Sequence, residues 1–430
     1  MEQLLAITVL TLKEASRKKV FAVLIIFALA LISCSALFPA IEPTSRICLA
    51  KVWTLRAISV FSALAAIFLV GISIPLDIEE KRVYTLFSKP LHKALYFMGK
   101  FLGFAIIVGL FVLLTGVISM LYVRLTAIGI GQAEQLGSRS RVFTHHLKGK
   151  NYHTRTVDGT KEYGLLIPEN RYLLWEFRDL KPSKFEEEAR CGISLSINDK
   201  ESFAHAGTLK LTFINPQTRE SYKTQCDVRS QIRHSLRFPR RIISSDGRLQ
   251  VQLERVKPQT VVIATANSVF LEEGAGSFEL NYLKGLGLIF LQSLVVTSGT
   301  LCVTSFVSGP VGIFFGLALL FCGSIYGFVE ESIRLSEKGL KRRQELLKQG
   351  KRVYSQPQEI PPWLLDIATR LSKNALKVIP DFRRFDPSDK LLENLVIPGQ
   401  TVASSLIYST PYLIFFVLLG AIIMHFKGFG

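Results

Sequence analysis

The chain lacks the parts on which most soluble catalysts rely. Six cysteines are scattered over 430 residues and none forms a CxxC pair, so no zinc or dithiol redox motif is present. The phosphate-cradling pattern GxxxxGK[ST] is absent. Gly99-Lys100, Gly149-Lys150 and Gly350-Lys351 have neither the preceding glycine nor the following hydroxyl. His145, His146 and His153 have no cysteine or carboxylate cluster near them to complete a metal site. No nucleophile is placed beside a base, which argues against catalysis by this chain. Acidic residues are also scarce, 34 Asp and Glu against 52 Lys and Arg, for a formal charge of +18. That excess does not point to nucleic acid, because the basic residues are dispersed and no reader motif accompanies them. Membrane proteins carry Lys and Arg beside the lipid for other reasons.

What the chain has is long apolar runs. It is 49% hydrophobic with 30 phenylalanines, too apolar for an ordinary soluble protein and too polar to be all membrane. Six stretches have the roughly 20-residue length that a helix needs to cross about 30 Å of hydrocarbon. They are Val20 to Phe38, Ala57 to Leu76, Phe101 to Val123, Gly285 to Phe306, Pro310 to Val329 and Val402 to Met424. The first exceeds the roughly 7–15 apolar residues of a cleaved signal, so it reads as an anchor. Ahead of it, residues 1 to 16 read as an interfacial helix. Trp53, at the start of the second span, suits headgroup level, and Arg56 is expected to snorkel to the interface.

Between spans three and four the pattern changes. Gly192 to Ile197, Thr208 to Phe213, Leu249 to Leu253 and Val261 to Thr265 alternate apolar and polar residues, the period of half-buried strands. Asn198-Asp199, Asn215-Pro216 and Asp246-Gly247 punctuate them. The expected fold is therefore an α-helical membrane protein with six transmembrane helices and an extracytoplasmic β-sandwich-like insert between spans three and four. Residues 1–123 would hold the interfacial helix and spans one to three, 124–283 the β domain, and 284–329 spans four and five. A helical connector, 330–401, and the sixth span with its tail, 402–430, would complete the chain. Within the insert, Gly129 to Lys161 reads as loosely ordered. Cys191 and Cys226 share this region and would be two thiols, or a disulfide if it faces an oxidising compartment. The polar stripe Gln292, Ser293, Thr297, Ser298, Thr300 and Thr304 in the fourth span suits helix packing better than a substrate path.

The run from Asp77 to Pro90 is the densest charged connector between two spans. Arg17, Lys18 and Lys19 place the N-terminus in the cytoplasm, and Lys81, Arg82, Lys89, Lys93 and Lys100 place this connector on the same side. The insert and the fifth-to-sixth connector then fall outside. The latter carries Lys341-Arg342-Arg343, against the tendency, but at about 70 residues it exceeds the roughly 60 for which charge counting decides.

Three features together resemble the permease subunit of ABC transporters of the type-2 exporter class. They are the run Glu79-Glu80-Lys81-Arg82-Val83-Tyr84-Thr85-Leu86-Phe87-Ser88-Lys89-Pro90, the sequence Gly99-Lys100-Phe101-Leu102-Gly103, and Pro380-Asp381-Phe382 ahead of the last span. Arg82 stands where the family usually has a small residue, and the large insert departs from the minimal pattern. The resemblance implies a bacterial inner-membrane protein with both termini cytoplasmic, acting as a homodimer or as a heterodimer with a second permease. It implies a coupling helix in the connector 77–100, with Asp77, Glu79, Glu80, Lys81, Arg82, Ser88 and Lys89 as polar contacts and Tyr84 and Phe87 as anchors for a cytoplasmic ABC ATPase subunit. ATP and Mg would be bound by that partner, and this chain would hold no cofactor. The insert, with Trp175 to Arg178 and Phe278 to Asn281, would either fill its own core or present a face to an envelope protein, a lipid or a glycan. The alternative reading is a non-transporting anchor or mechanotransmitter whose outer domain engages an envelope partner.

Overall fold

The computed structural model describes residues 2–16, 19–34, 43–80, 92–131, 136–144, 147–150, 153–157, 160–165, 172–199, 206–229, 233–255, 260–348, 370–374 and 376–426. The chain divides into two compact units. One comprises Met1–Leu136, Glu279–Glu393 and Ile397–Gly430; the other comprises Gly137–Phe278 with Asn394–Val396.

The first unit is helical. Its elements are α1 (Glu2–Ser16), α2 (Lys19–Cys34), α3 (Pro43–Glu79), α4 (Lys93–Gly129), α5 (Phe278–Thr304), α6 (Gly309–Lys348), the short α7 (Ser388–Leu392) and α8 (Gly399–Phe426). Among the described residues, five helical segments are long and apolar enough to span: Arg46–Asp77, Lys93–Gly129, Phe278–Thr304, Gly309–Leu335 and Gly399–Phe426. The first expected span falls on α2, of which 16 residues are described; its last positions, 35–38, lie outside the described residues. The second expected span begins well inside α3, which runs unbroken from Pro43 and includes Trp53 and Arg56.

Helix contacts sort the ends of this unit. Gly420 of α8 lies against Phe97 near the start of α4, and Gly309 at the start of α6 meets Gly71 and Pro75 of α3. The end of α3, the start of α4, the α5–α6 turn and the end of α8 therefore cluster together. At the other end, the Tyr282 hydroxyl of α5 is hydrogen-bonded with Ser119 of α4 and lies 3.3 Å from the Thr54 hydroxyl of α3. Asn281 there accepts from the Ile397 amide at 2.7 Å. The connector 80–92 is thus rooted at one end, and α4 ends and α5 begins at the other.

The fourth-span stripe is buried, and its hydroxyls are engaged. Ser293, Thr297, Thr300 and Thr304 each donate to a carbonyl one turn back. Ser62 meets Ser293 at 2.8 Å, and Ser59 donates to Gln292 at 3.1 Å. This is the expected packing role, since unpaired hydroxyls are costly in an apolar interior.

The second unit contains three antiparallel sheets, ordered β1-β13-β6-β10, β2-β5-β11-β8-β9 and β3-β4-β12-β7, in which β4 is Thr160–Leu165, β9 is Ser221–Arg229 and β10 is Arg233–Pro239. Inward residues of the first two, including Trp175, Phe213 and Val251 facing Cys191, Ile193 and Leu271, share one apolar core. This is the sandwich that the alternation predicts. The four expected strands are present as β6 (Glu188–Ser194) with β7 (Ser196–Asp199), β8 (Ala206–Ile214), β11 (Leu249–Arg255) and β12 (Thr260–Ala264). The stretch expected to be loose instead contributes β1 (Ser138–Phe143), β2 (Leu147–Lys150) and β3 (His153–Val157). Its polar composition hid them: β1 is held by pairing with β13 (Val269–Gly276) and β2 by pairing with β5 (Tyr172–Phe177). Trp175 is fully buried and its indole donates to the Ala266 carbonyl at 3.2 Å.

Cys191 and Cys226 are both free thiols. Burial pushes the Cys226 thiol up to about 11, with Asp227 adding to it, and burial pushes Cys191 higher still. Only the thiolate is reactive. Alkylation of Cys226 in the native protein is expected to be slow at pH 7 and to accelerate roughly tenfold per pH unit up to about pH 10. Cys191 should stay unlabelled until the domain unfolds. Peptide mapping of labelled protein checks this, and equal fast labelling of both cysteines at neutral pH would contradict it.

Candidate functional site

The expected coupling run begins at the C-terminus of α3. Lys81, Arg82, Tyr84, Phe87, Ser88 and Lys89 lie outside the described residues. Glu79 closes α3, and Glu80 follows it exposed in a turn, its amide donating to the Leu76 carbonyl at 2.9 Å. Asp77 is different. It is 3% exposed and turned inward, so it anchors the connector internally and does not offer a surface contact.

Its partner is Lys100, which charge counting treats as a loop residue. The structure buries it on α4 at 1% exposed. The Lys100 ammonium lies 2.6 Å from Asp77 and 2.8 Å from Glu14 of α1, and donates to the Ser73 hydroxyl at 3.2 Å. The Tyr96 hydroxyl donates to the same Asp77 carboxylate at 2.6 Å. A lone ammonium in this setting would be prohibitive. Two carboxylates and a hydroxyl supply the compensation that buried charge requires. The cluster ties α3 to α4 directly across the roots of the connector, and Glu14 adds α1.

Two glycines make the α1 contact close enough. A side chain on Gly99 would come within 2.7 Å of Ile7, and one on Gly103 within 2.6 Å of Thr11. Small residues four apart on α4 form a groove for α1, whose backbone then approaches as small-residue interfaces allow. The Gly-Lys-Phe-Leu-Gly sequence is therefore a helix dock with a charge clamp inside it. Lys100, Tyr96, Glu14 and Ser73 were not among the expected site residues; the available signal was a lysine flanked by glycines within an otherwise apolar run.

A second cluster surrounds the Asp381-Phe382-Arg383-Arg384-Phe385 turn. Phe382 lies over Gly323 of α6 and Arg383 over Gly327, with backbone-to-side-chain clearances that no Cβ would fit. Arg383 donates in a fork to both oxygens of Asp381, at 3.0 and 3.1 Å, and to Glu330 at 2.5 Å. The fork on Asp381 holds the guanidinium well above its ordinary range against the opposing effect of burial, and Glu330 adds to it. Arg384 stacks over the Tyr408 ring at 4.4 Å. Beside this turn is a cavity of about 380 Å³ lined by Arg56, Ser59, Gln292, Arg383 and Asp386 among others. Arg56 is exposed on α3, as a snorkelling residue would be.

Among the described residues, no group of three His, Cys, Asp or Glu is placed to hold a metal ion; His145 and His146 lie outside them. Searches of family models, curated proteins and solved structures find no match to this chain. By helix length and composition it is a multi-pass membrane protein with an inserted β unit.

Breaking the buried clamp on one side should be severe. Lys100→Met leaves Asp77 and Glu14 without their cation and is expected to cost about 3–5 kcal/mol. Adding Asp77→Asn should recover part of that loss, as coupled neighbours do. Thermal unfolding of the detergent-solubilised full chain measures it; additive losses would show that the two side chains do not interact.

Proposed function

We propose that this chain is the transmembrane subunit of an ATP-driven, exporter-like complex, and that the connector 77–100 receives force from a separate cytoplasmic ATPase. The supporting observation is the Lys100 clamp. Its ionic contacts bind Asp77 at one root of the connector, α4 at the other, and Glu14 on α1. A push on a connector built this way moves three helices as one body, whereas a loop with independent roots would absorb it. The division of charge suits the same role: Asp77 is spent internally, and Glu80 is left on the surface. The sequence has no phosphate-binding loop of its own, so ATP and Mg would be held by the partner.

A second reading, a mechanotransmitter that moves no solute, draws on the α5 stripe. Its hydroxyls are engaged within helix packing, so they do not line an open polar path. Vesicle transport with substrate-stimulated ATP hydrolysis separates the two readings.

The complex purified from its native membrane is expected to contain an ATP-hydrolysing subunit. Glu79→Lys with Glu80→Lys should reduce that co-purification by roughly tenfold or more, the loss expected at an interface hot spot. Helicity and thermal stability should be unchanged. Recovery of a well-folded chain with no ATPase under any condition would refute both readings.

A further inference from the structure

The turn between α6 and α8 has a feature that coupling does not use. The cavity of about 380 Å³ adjoins a second of about 190 Å³, and the two share Arg383 and Asp386. Four cations line the pair, Arg56, Arg383, Arg384 and Lys390, against one lining carboxylate, Asp386. Arg383 is already neutralised by Asp381 and Glu330. Arg384 reaches Asp381 only at 3.9 Å. Among the described residues Lys390 has no carboxylate partner; its one polar contact is the Thr401 hydroxyl at 3.2 Å. Burial lowers its affinity for a proton, the mark of an ammonium with no compensating anion. Thr401, Ser404 and Ser405, which complete the smaller cavity, are in the first two turns of the 28-residue α8. The positive end of that helix adds to the same field.

The rest of the lining mixes Ser59, Gln292 and Ser324 with the apolar Val60, Leu288 and Phe382, and on α8 the exposed Leu406 and Ile407 follow directly. A cationic recess next to exposed apolar residues of a spanning helix matches an amphiphile with an anionic head. A free anion would gain nothing from those apolar residues. Arginine and lysine recesses between spanning helices suit phosphate headgroups. We propose that these joined cavities bind the phosphate-bearing headgroup of an anionic membrane lipid, with Arg384 and Lys390 as its principal contacts.

The full chain is purified in a mild detergent, and its bound lipid is counted by native mass spectrometry after exposure to phosphatidylglycerol, phosphatidylcholine or inorganic phosphate. Phosphatidylglycerol is expected to be retained and to raise the thermal midpoint, while the other two do neither. Arg384→Gln with Lys390→Gln should weaken retention by roughly tenfold or more, as loss of charge-assisted hydrogen bonds does. Ser404→Phe keeps every charge but fills the smaller cavity from an exposed position, so it should give the same loss in a folded protein. Arg334→Gln removes a charge elsewhere on α6 and should change nothing. Equal retention in the Ser404→Phe protein would overturn the proposal. So would equal loss from Arg334→Gln, or stabilisation by inorganic phosphate alone to the same degree.

Discussion

The helical unit depends on how it accommodates one charge. Lys100 sits in a helix that is otherwise apolar over most of its 37 residues, at a depth where its ammonium has no water to turn to. Asp77 and Glu14 each approach within 3 Å of it, and neither carboxylate belongs to the same helix as the lysine. Satisfying Lys100 therefore forces α1, α3 and α4 into fixed mutual register. Apolar packing alone would hold them together without specifying that register, because contacts between apolar faces are non-directional. The glycines at 99 and 103 permit the approach, and the ion cluster makes it specific.

The same logic recurs at the opposite end with different parts. Gly323 and Gly327, again four residues apart, open a shelf on α6 that accepts Phe382 and Arg383. The fork between Arg383 and Asp381 closes the turn, and the Asp381 amide donates to the Tyr408 hydroxyl on α8 at 2.8 Å. One end of the unit is thus fixed across the roots of a charged connector, and the other across a turn bordered by a basic recess. Between them, α3 and α5 are zipped by hydroxyl and amide contacts at Ser59, Ser62, Gln292 and Ser293. A displacement imposed at one end has a stiff, polar-bonded path toward the other.

Much of this architecture was legible in the residues. Run length located five helices long enough to span, and period-two alternation located strands on both faces of the sandwich core, among them β6, β8 and β11. What escaped had physical causes. The strands β1 to β3 are polar because their hold is pairing with β13, β5 and β4, which alternation cannot register. The first apolar run falls on α2, described as far as Cys34, and its last positions, 35–38, lie outside the described residues. Asp77 and Lys100 were both counted as surface charges, because composition does not say which way a side chain turns at a helix end. The residues that make the connector distinctive, Tyr84 and Phe87 among them, lie outside the described part of the chain, so the sequence remains their main witness.

The central claim is that this connector meets a soluble motor while its root is locked inside. A photo-reactive amino acid placed at position 80 in the otherwise unaltered protein, activated in intact cells, tests it most directly. The account predicts a covalent adduct with a cytoplasmic, nucleotide-binding subunit, and the loss of that adduct when Lys100→Met releases the clamp. Adducts formed only with lipid or with proteins of the opposite membrane face would contradict it.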